Sequence, residues 1–119
     1  MRVMVVDDSP MFRAVMRDIL VRVGVTDLIE AGDYEEAVRL YRKKGADIVF
    51  MDMVLPGKSG IEVVRALKRE DGDVKIIAMS SMVNKKMILD AIDSGAVDFI
   101  IKPTNEIVVS NIIQVWGTA

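Results

Sequence analysis

The chain has 119 residues, 51% hydrophobic and 29% charged, with 16 Lys and Arg against 18 Asp and Glu for a net charge of −2; this is the size and composition of one globular domain with a real core, residues 1–119. The balance lacks the basic footprint of a protein that binds nucleic acid directly, and the absence of Cys and His excludes disulfides, thiolate or imidazole metal sites and a histidine phosphocarrier within the chain. No apolar run reaches the roughly 18 residues that cross a bilayer, and Asp7 and Asp8 interrupt the first apolar stretch too early for a signal peptide, so a cytoplasmic protein without membrane insertion is expected.

The first element is the apolar run Val3 to Val6, the pattern of a strand covered on both faces. Asp8 or Ser9 is placed to cap a helix that Pro10 opens. Phe12, Met16, Ile19 and Val23 give that helix its inward face, and Gly24 ends it. Asp27 to Ala31 reads as a weaker, half-polar strand. Asp33 and Glu36 have the form of a capping box for a helix that runs to Lys44 and stops at Gly45. A third strand, Asp47 to Met51, again ends in an aspartate, Asp52. Leu55 to Gly60 reads as a turn-rich loop, and Ile61, Val64 and Leu67 carry the next helix. Lys75 to Met79 is a fourth strand ending in Ser80-Ser81. A helix from Lys85 to Ser94 closes at Gly95, and Asp98 to Ile101 is a fifth strand ending at Lys102-Pro103. A last helix fills Asn105 to Trp116.

Strand and helix thus alternate five times with short connections, which calls for a parallel sheet with helices on both faces. In open α/β sheets ligands bind beyond the carboxyl ends of the strands. Four of the five strands end there in polar residues: Asp7-Asp8, Asp52, Ser80-Ser81 and Lys102. In a sheet of order 2-1-3-4-5, strands one and three are neighbours and the three aspartates converge. At an effective dielectric near 20, each pair of carboxylates at ~4 Å costs on the order of 4 kcal/mol. Protonation or a cation must relieve that repulsion. Oxygen ligands alone select a hard divalent ion, Mg²⁺ above others. A metal, a lysine, a hydroxyl and a carboxylate form a cradle for a tetrahedral oxyanion, and a carboxylate can itself attack phosphorus to give an aspartyl phosphate. Singly, each of these residues reads as a cap or a turn; at successive strand ends they read as one site.

The segments "VVDDSP", "DIVFMDMVLPGKSG", "IIAMSS" and "GAVDFIIKP" resemble, in order and spacing, the receiver domains of two-component response regulators, over essentially the whole chain. "MFRAVMRDIL" and "GAVDFIIKP" lean toward the chemotaxis branch. The resemblance implies a single receiver domain with a doubly wound, flavodoxin-like (βα)5 fold and a five-stranded parallel sheet of order 2-1-3-4-5. It implies Asp52 as phospho-acceptor, Asp8 as a direct Mg²⁺ ligand, Asp7 acting through a metal-bound water, and the Val54 backbone carbonyl as a further ligand. Ser80 would be the switch hydroxyl, Phe99 the switch aromatic, and Lys102, before a cis Pro103, the contact to the phosphoryl oxygens.

With no His in the chain, the phosphohistidine donor would be a partner sensor kinase. The protein would catalyse only its own phosphorylation and dephosphorylation. The signal would leave through the face made by helix four, strand five and helix five, to a downstream output protein. In the last helix Val108, Val109, Ile112, Ile113, Val115 and Trp116 span about 160° of arc, wider than a core stripe needs, and Ile107 lies in the polar face. This is either a broad core helix or, at Ile107 and Trp116, a partner or homodimer surface. Val54 and Met82, two residues after the acceptor and the switch hydroxyl, are apolar where many receivers are polar, so a long-lived phosphoryl group is expected. The competing readings are a receiver cut from a larger regulator with a methylesterase or DNA-binding output, and a Mg²⁺-dependent haloacid-dehalogenase-like phosphohydrolase. The latter's DxD pattern is only Asp52-Met53-Val54 here. A flavodoxin-like electron carrier lacks its phosphate-binding loop, and a pseudo-receiver is disfavoured because every expected site residue is present.

Overall fold

In the computed structural model, residues 1–81 and 84–117 are described. Among them, seven strands and five helices follow in the order β1 (Arg2–Val6), α1 (Pro10–Arg22), β2 (Asp27–Ala31), α2 (Tyr34–Lys44), β3 (Ile48–Asp52), β4 (Val54–Leu55), β5 (Lys58–Ser59), α3 (Gly60–Glu70), β6 (Lys75–Ser80), α4 (Lys85–Ser94), β7 (Asp98–Ile101) and α5 (Glu106–Trp116). The five long strands pair in parallel in the order β2-β1-β3-β6-β7. This is the expected flavodoxin-like order, with β6 and β7 as the fourth and fifth strands of the sheet.

The period of two along each strand divides the core into two layers. Met4, Val6, Val49, Met51, Ile76 and Ala78 face the layer closed by α2, α3 and α4. Their neighbours Val3, Val5, Ile48, Phe50, Ile77 and Met79 face the layer under α1 and α5. Every residue of β3 is buried, as a central parallel strand requires. The fully buried Phe50 makes its own packing worth about 3–5 kcal/mol against truncation to Ala.

Each helix starts on a side chain that accepts from the third residue on: Ser9 from Phe12, Asp33 from Glu36, Ser59 from Glu62, Asn84 from Met87 and Asn105 from Val108. Such caps contribute about 1 kcal/mol apiece and fix where each helix leaves the sheet. Ser9, rather than Asp8, caps α1, which leaves the Asp8 carboxylate free for other work. The expected capping box at α2 is half formed. Asp33 accepts from the Glu36 N–H, but the Glu36 carboxylate reaches back one residue further, to the Gly32 N–H at 2.8 Å.

The segment read as a plain loop, Leu55 to Gly60, is instead built around an antiparallel hairpin of β4 and β5. Pro56 and Gly57 make its turn, Gly57 taking a φ of +74° that L side chains rarely adopt. The hairpin delivers the chain into α3 at Gly60, where space is tight: an added Cβ would lie 2.4 Å from the Met53 Cα and 2.7 Å from the Asp52 carbonyl oxygen. Both are backbone atoms, one in the last residue of β3 and one in the residue after it, so neither can yield without moving that strand end. Gly60→Ala is therefore expected to lower the free energy of unfolding in urea by about 1–3 kcal/mol. Gly72→Ala, where an added Cβ meets nothing within 4 Å, should change it by less than about 0.5 kcal/mol.

Candidate phospho-acceptor site

The carboxyl ends of β1, β3, β6 and β7 bring the predicted residues to one edge of the sheet. Asp7 follows β1 directly and is fully buried, and Asp52 ends β3 and is buried as well. Asp8 is exposed beside them. One carboxylate oxygen from each of the three lies within 4.8 Å of the others.

The chain orients these groups through its backbone. The Asp7 N–H donates to the Ala31 carbonyl at 3.0 Å, continuing the β1–β2 ladder by one residue. The Asp7 carbonyl, past the end of that ladder, accepts from the Arg13 guanidinium, which also lies 3.5 Å from Glu30. The Asp7 Oδ1 accepts from the Ser9 N–H at 2.9 Å, and Asp52 Oδ1 accepts from the Val54 N–H at 3.0 Å. Each buried carboxylate thus has one oxygen committed to backbone and the other turned toward the cleft.

Lys102 takes up those second oxygens. Its backbone N–H donates to the Ser80 carbonyl at 2.9 Å, and its Nζ lies 2.5 Å from Asp7 Oδ2 and 3.2 Å from Asp52 Oδ2. The Lys102–Pro103 peptide is cis, as the resemblance implied. The ammonium is therefore the first cation of the site, lying between two of the carboxylates. Three carboxylates against one ammonium still leave two negative charges. Among the described residues Asp8 has no hydrogen-bond or ion-pair partner. An all-oxygen donor set with that residual charge fits a divalent ion.

Burial pushes the Asp52 carboxyl above the ordinary carboxylate range; the charge of Asp7 adds to the rise, while the Val54 N–H and Lys102 oppose it. The folded protein then holds the Asp52 proton more tightly than the unfolded chain does. Stability falls as pH rises from the ordinary carboxylate range through the raised value, so ionised Asp52 is carried at a cost to folding. A buried carboxylate perturbed in this way at the carboxyl edge of the sheet makes Asp52 a candidate functional group.

The remaining predicted residues divide. Ser80 is buried at the end of β6, one strand from Asp52. Phe99 is half-buried on the outermost strand β7, packed against the layer under α2, α3 and α4. Val54 sits on the hairpin with its side chain 59% exposed. Met82 lies outside the described residues. Trp116 packs against the layer under α1 and α5, and its Nε1 donates to Asp98 Oδ2 at 3.1 Å. These are the contacts of a broad core helix, and they leave Trp116 half-buried. Ile107 is 74% exposed but borders a groove against α1, with Val15 and Arg22 opposite. Two site residues escaped the sequence reading. Arg13 was legible only as a polar position on α1, and Phe12, whose ring lies 4.2 Å from the Lys102 Nζ, only as a core position.

Together, the parallel order of the sheet and the acid–lysine cluster at its carboxyl edge define a receiver. The sequence matches the response regulator receiver domain family over residues 3–114, and the chain belongs to that family. It is 38% identical over 102 residues to the chemotaxis protein CheY of Bacillus subtilis, covering 86% of this chain and 85% of that protein. Identity and coverage are the same for the chemotaxis protein CheY of Thermotoga maritima. Among solved structures, the complex of CheX and CheY with BeF3 and magnesium from Borrelia burgdorferi matches with a TM-score of 0.89 and 28% identity, over 98% of this chain and 90% of that one.

Because Asp7 is fully buried and Lys102 is its charge partner, removing the ammonium strands a buried carboxylate. Lys102→Met should lower the unfolding free energy by about 3 kcal/mol in metal-free urea titrations, and adding Asp7→Asn to it should recover most of the loss.

Proposed function

We propose that the chain is the phospho-acceptor of a two-component system, with Asp52 as nucleophile toward the phosphohistidine of a partner sensor kinase. The observation that carries this reading is the Lys102 ammonium between Asp7 and Asp52, 3.2 Å from the oxygen that would attack. An Asp52 oxygen would bond to phosphorus as the phosphorus–nitrogen bond of the donor breaks, and the departing imidazole nitrogen would keep that electron pair and take a proton from solvent. Lys102 is placed to follow the negative charge from the carboxylate onto the phosphoryl oxygens. Mg²⁺, held by Asp8, Asp52 and the Val54 carbonyl with Asp7 acting through water, would supply the remaining positive charge for those oxygens. Asp8, without a partner among the described residues, and the residual negative charge support that ion, and the Borrelia relative carries magnesium with BeF3. In this role the protein turns over no external substrate and catalyses only its own phosphorylation and dephosphorylation.

The new charge on Asp52 would draw the Ser80 hydroxyl toward it and shift Phe99 on β7, altering the surface of α4, β7 and α5 that an output protein reads. Leu89, Ile92, Ile101, Val108 and Val115 are exposed apolar residues on those elements and fit such a partner. The likeness to chemotaxis CheY over 85% of its length supports a stand-alone chemotaxis-type regulator working in the cytoplasm, where its kinase partner signals. Among the described residues no helix is long and apolar enough to cross a membrane.

Incubation with acetyl phosphate and Mg²⁺, read by intact mass, should add one phosphoryl group to the wild type and none to Asp52→Asn. Uptake by the variant, or none by the wild type, would remove Asp52 from this role. The exposed apolar Val54 offers no hydrogen bond to a water approaching the phosphoryl group. Val54→Asn should therefore shorten the phosphoryl lifetime by about tenfold, the worth of one positioned hydrogen bond; an unchanged decay would mean that water is oriented elsewhere.

A further inference from the structure

The Lys102 ammonium is held on three sides, and only two of them are charged. Asp7 and Asp52 take hydrogen bonds from it at 2.5 and 3.2 Å. On the third side lies the ring of Phe12, its centroid 4.2 Å from the Nζ, well within the ~6 Å over which a cation is drawn to an aromatic face. Only 15% of the Lys102 side chain is exposed, so the contact is made largely without competing water, where such an attraction is strongest.

Phe12 is itself firmly placed. It is the third residue of α1, its N–H donates to the Ser9 cap at 3.2 Å, and its ring packs against the layer under α1 and α5. Resting on Lys102, the ring also packs above that layer at the carboxyl edge, where a core position and a site position coincide.

We propose that Phe12 is a positioning residue for phosphoryl transfer: its ring face holds the Lys102 ammonium between Asp7 and Asp52 and shields that flank from water. The inference rests on the phospho-acceptor reading of Asp52. A ring suits this task because it attracts the cation without taking one of its directed hydrogen bonds. The protons that bond Asp7 and Asp52 stay with oxygen, so the lysine can pivot from the Asp52 carboxylate to an arriving phosphoryl group while remaining in place. A carboxylate in the same position would compete with the phosphoryl oxygens. An aliphatic side chain would fill the space and leave the charge unheld.

The test is a series at position 12 in the full chain: Phe12→Tyr, Phe12→Leu, and phenylalanine carrying one, two or three ring fluorines, which drain the negative face of the ring while nearly preserving its shape. Phosphorylation by acetyl phosphate with Mg²⁺ is followed across donor concentrations, alongside the urea midpoint of each protein. The maximal rate constant should fall stepwise with each fluorine, by about threefold to tenfold over the series, while the urea midpoint shows no matching trend. Phe12→Leu should be at least as slow as the trifluoro protein, and Phe12→Tyr should keep the wild-type rate. Independently, the Lys102 Cε protons should show an upfield ring-current shift in NMR spectra of the wild type that Phe12→Leu abolishes. Flat rates across the fluorinated series, in a wild type that does take up phosphoryl, overturn the role of Phe12 and leave the phospho-acceptor reading standing. Absence of the ring-current shift overturns the contact itself. No uptake by the wild type overturns the phospho-acceptor reading and takes the role of Phe12 in the transfer with it.

Discussion

The Lys102 ammonium, 2.5 Å from Asp7 and 3.2 Å from Asp52, is the constraint around which this structure is arranged. At an effective dielectric near 20, two bare carboxylates ~4 Å apart would repel by on the order of 4 kcal/mol, and here both are buried. One lysine from the outermost strand of the sheet converts that repulsion into two attractions. To do so it must reach from the end of β7 past β6 to β3 and β1, and the hydrogen bond from its own N–H to the Ser80 carbonyl fixes where that reach begins. The parallel order β2-β1-β3-β6-β7 is what puts four strand ends within the span of a single side chain.

The cluster remains unbalanced by design of its composition. Buried Asp7 and Asp52 share one cation, exposed Asp8 has none among the described residues, and burial lifts the Asp52 carboxyl further. A site in this condition is poised to take up positive charge, and a divalent ion is the kind its oxygens fit. In the proposed function the same lysine would pass to the more negative group formed on Asp52. On the phospho-acceptor reading proposed above, the features that cost folding stability are the ones that hold a lysine and a cation-binding cluster beside Asp52, a common arrangement in functional centres.

Much of this was legible in the sequence, because each strand is a short apolar run cut off by a polar residue, and the cut marks both the end of the strand and a member of the site. Asp7, Asp8, Asp52, Ser80 and Lys102 were found in that way; the sheet order that joins them came from the family resemblance, since periodicity says nothing about which strands are neighbours. The β4–β5 hairpin was missed because a strand of two residues has no period to detect. The Glu36 carboxylate passing over the expected N–H for that of Gly32 turns on a loop conformation that spacing does not specify. Trp116 was placed correctly at the edge of a broad apolar face, but its tie to Asp98, 18 residues earlier, is a tertiary contact. Phe12 is the most instructive case. Its spacing with Met16 and Ile19 marks a core residue, and it is one; only the arrival of Lys102 from the other side of the sheet gives it a second task.

The central claim is that one ammonium and three carboxylates form a single centre for a phosphoryl group on Asp52. The most direct measurement is a crystal structure of the protein with beryllofluoride and Mg²⁺, which form a stable mimic of a phosphorylated carboxylate. The account predicts the adduct on Asp52, Lys102 Nζ against its fluorine atoms, and the metal bound by Asp8 and Asp52. An adduct on Asp7 or Asp8, or a Lys102 still bridging Asp7 and Asp52 beside an occupied site, would contradict it.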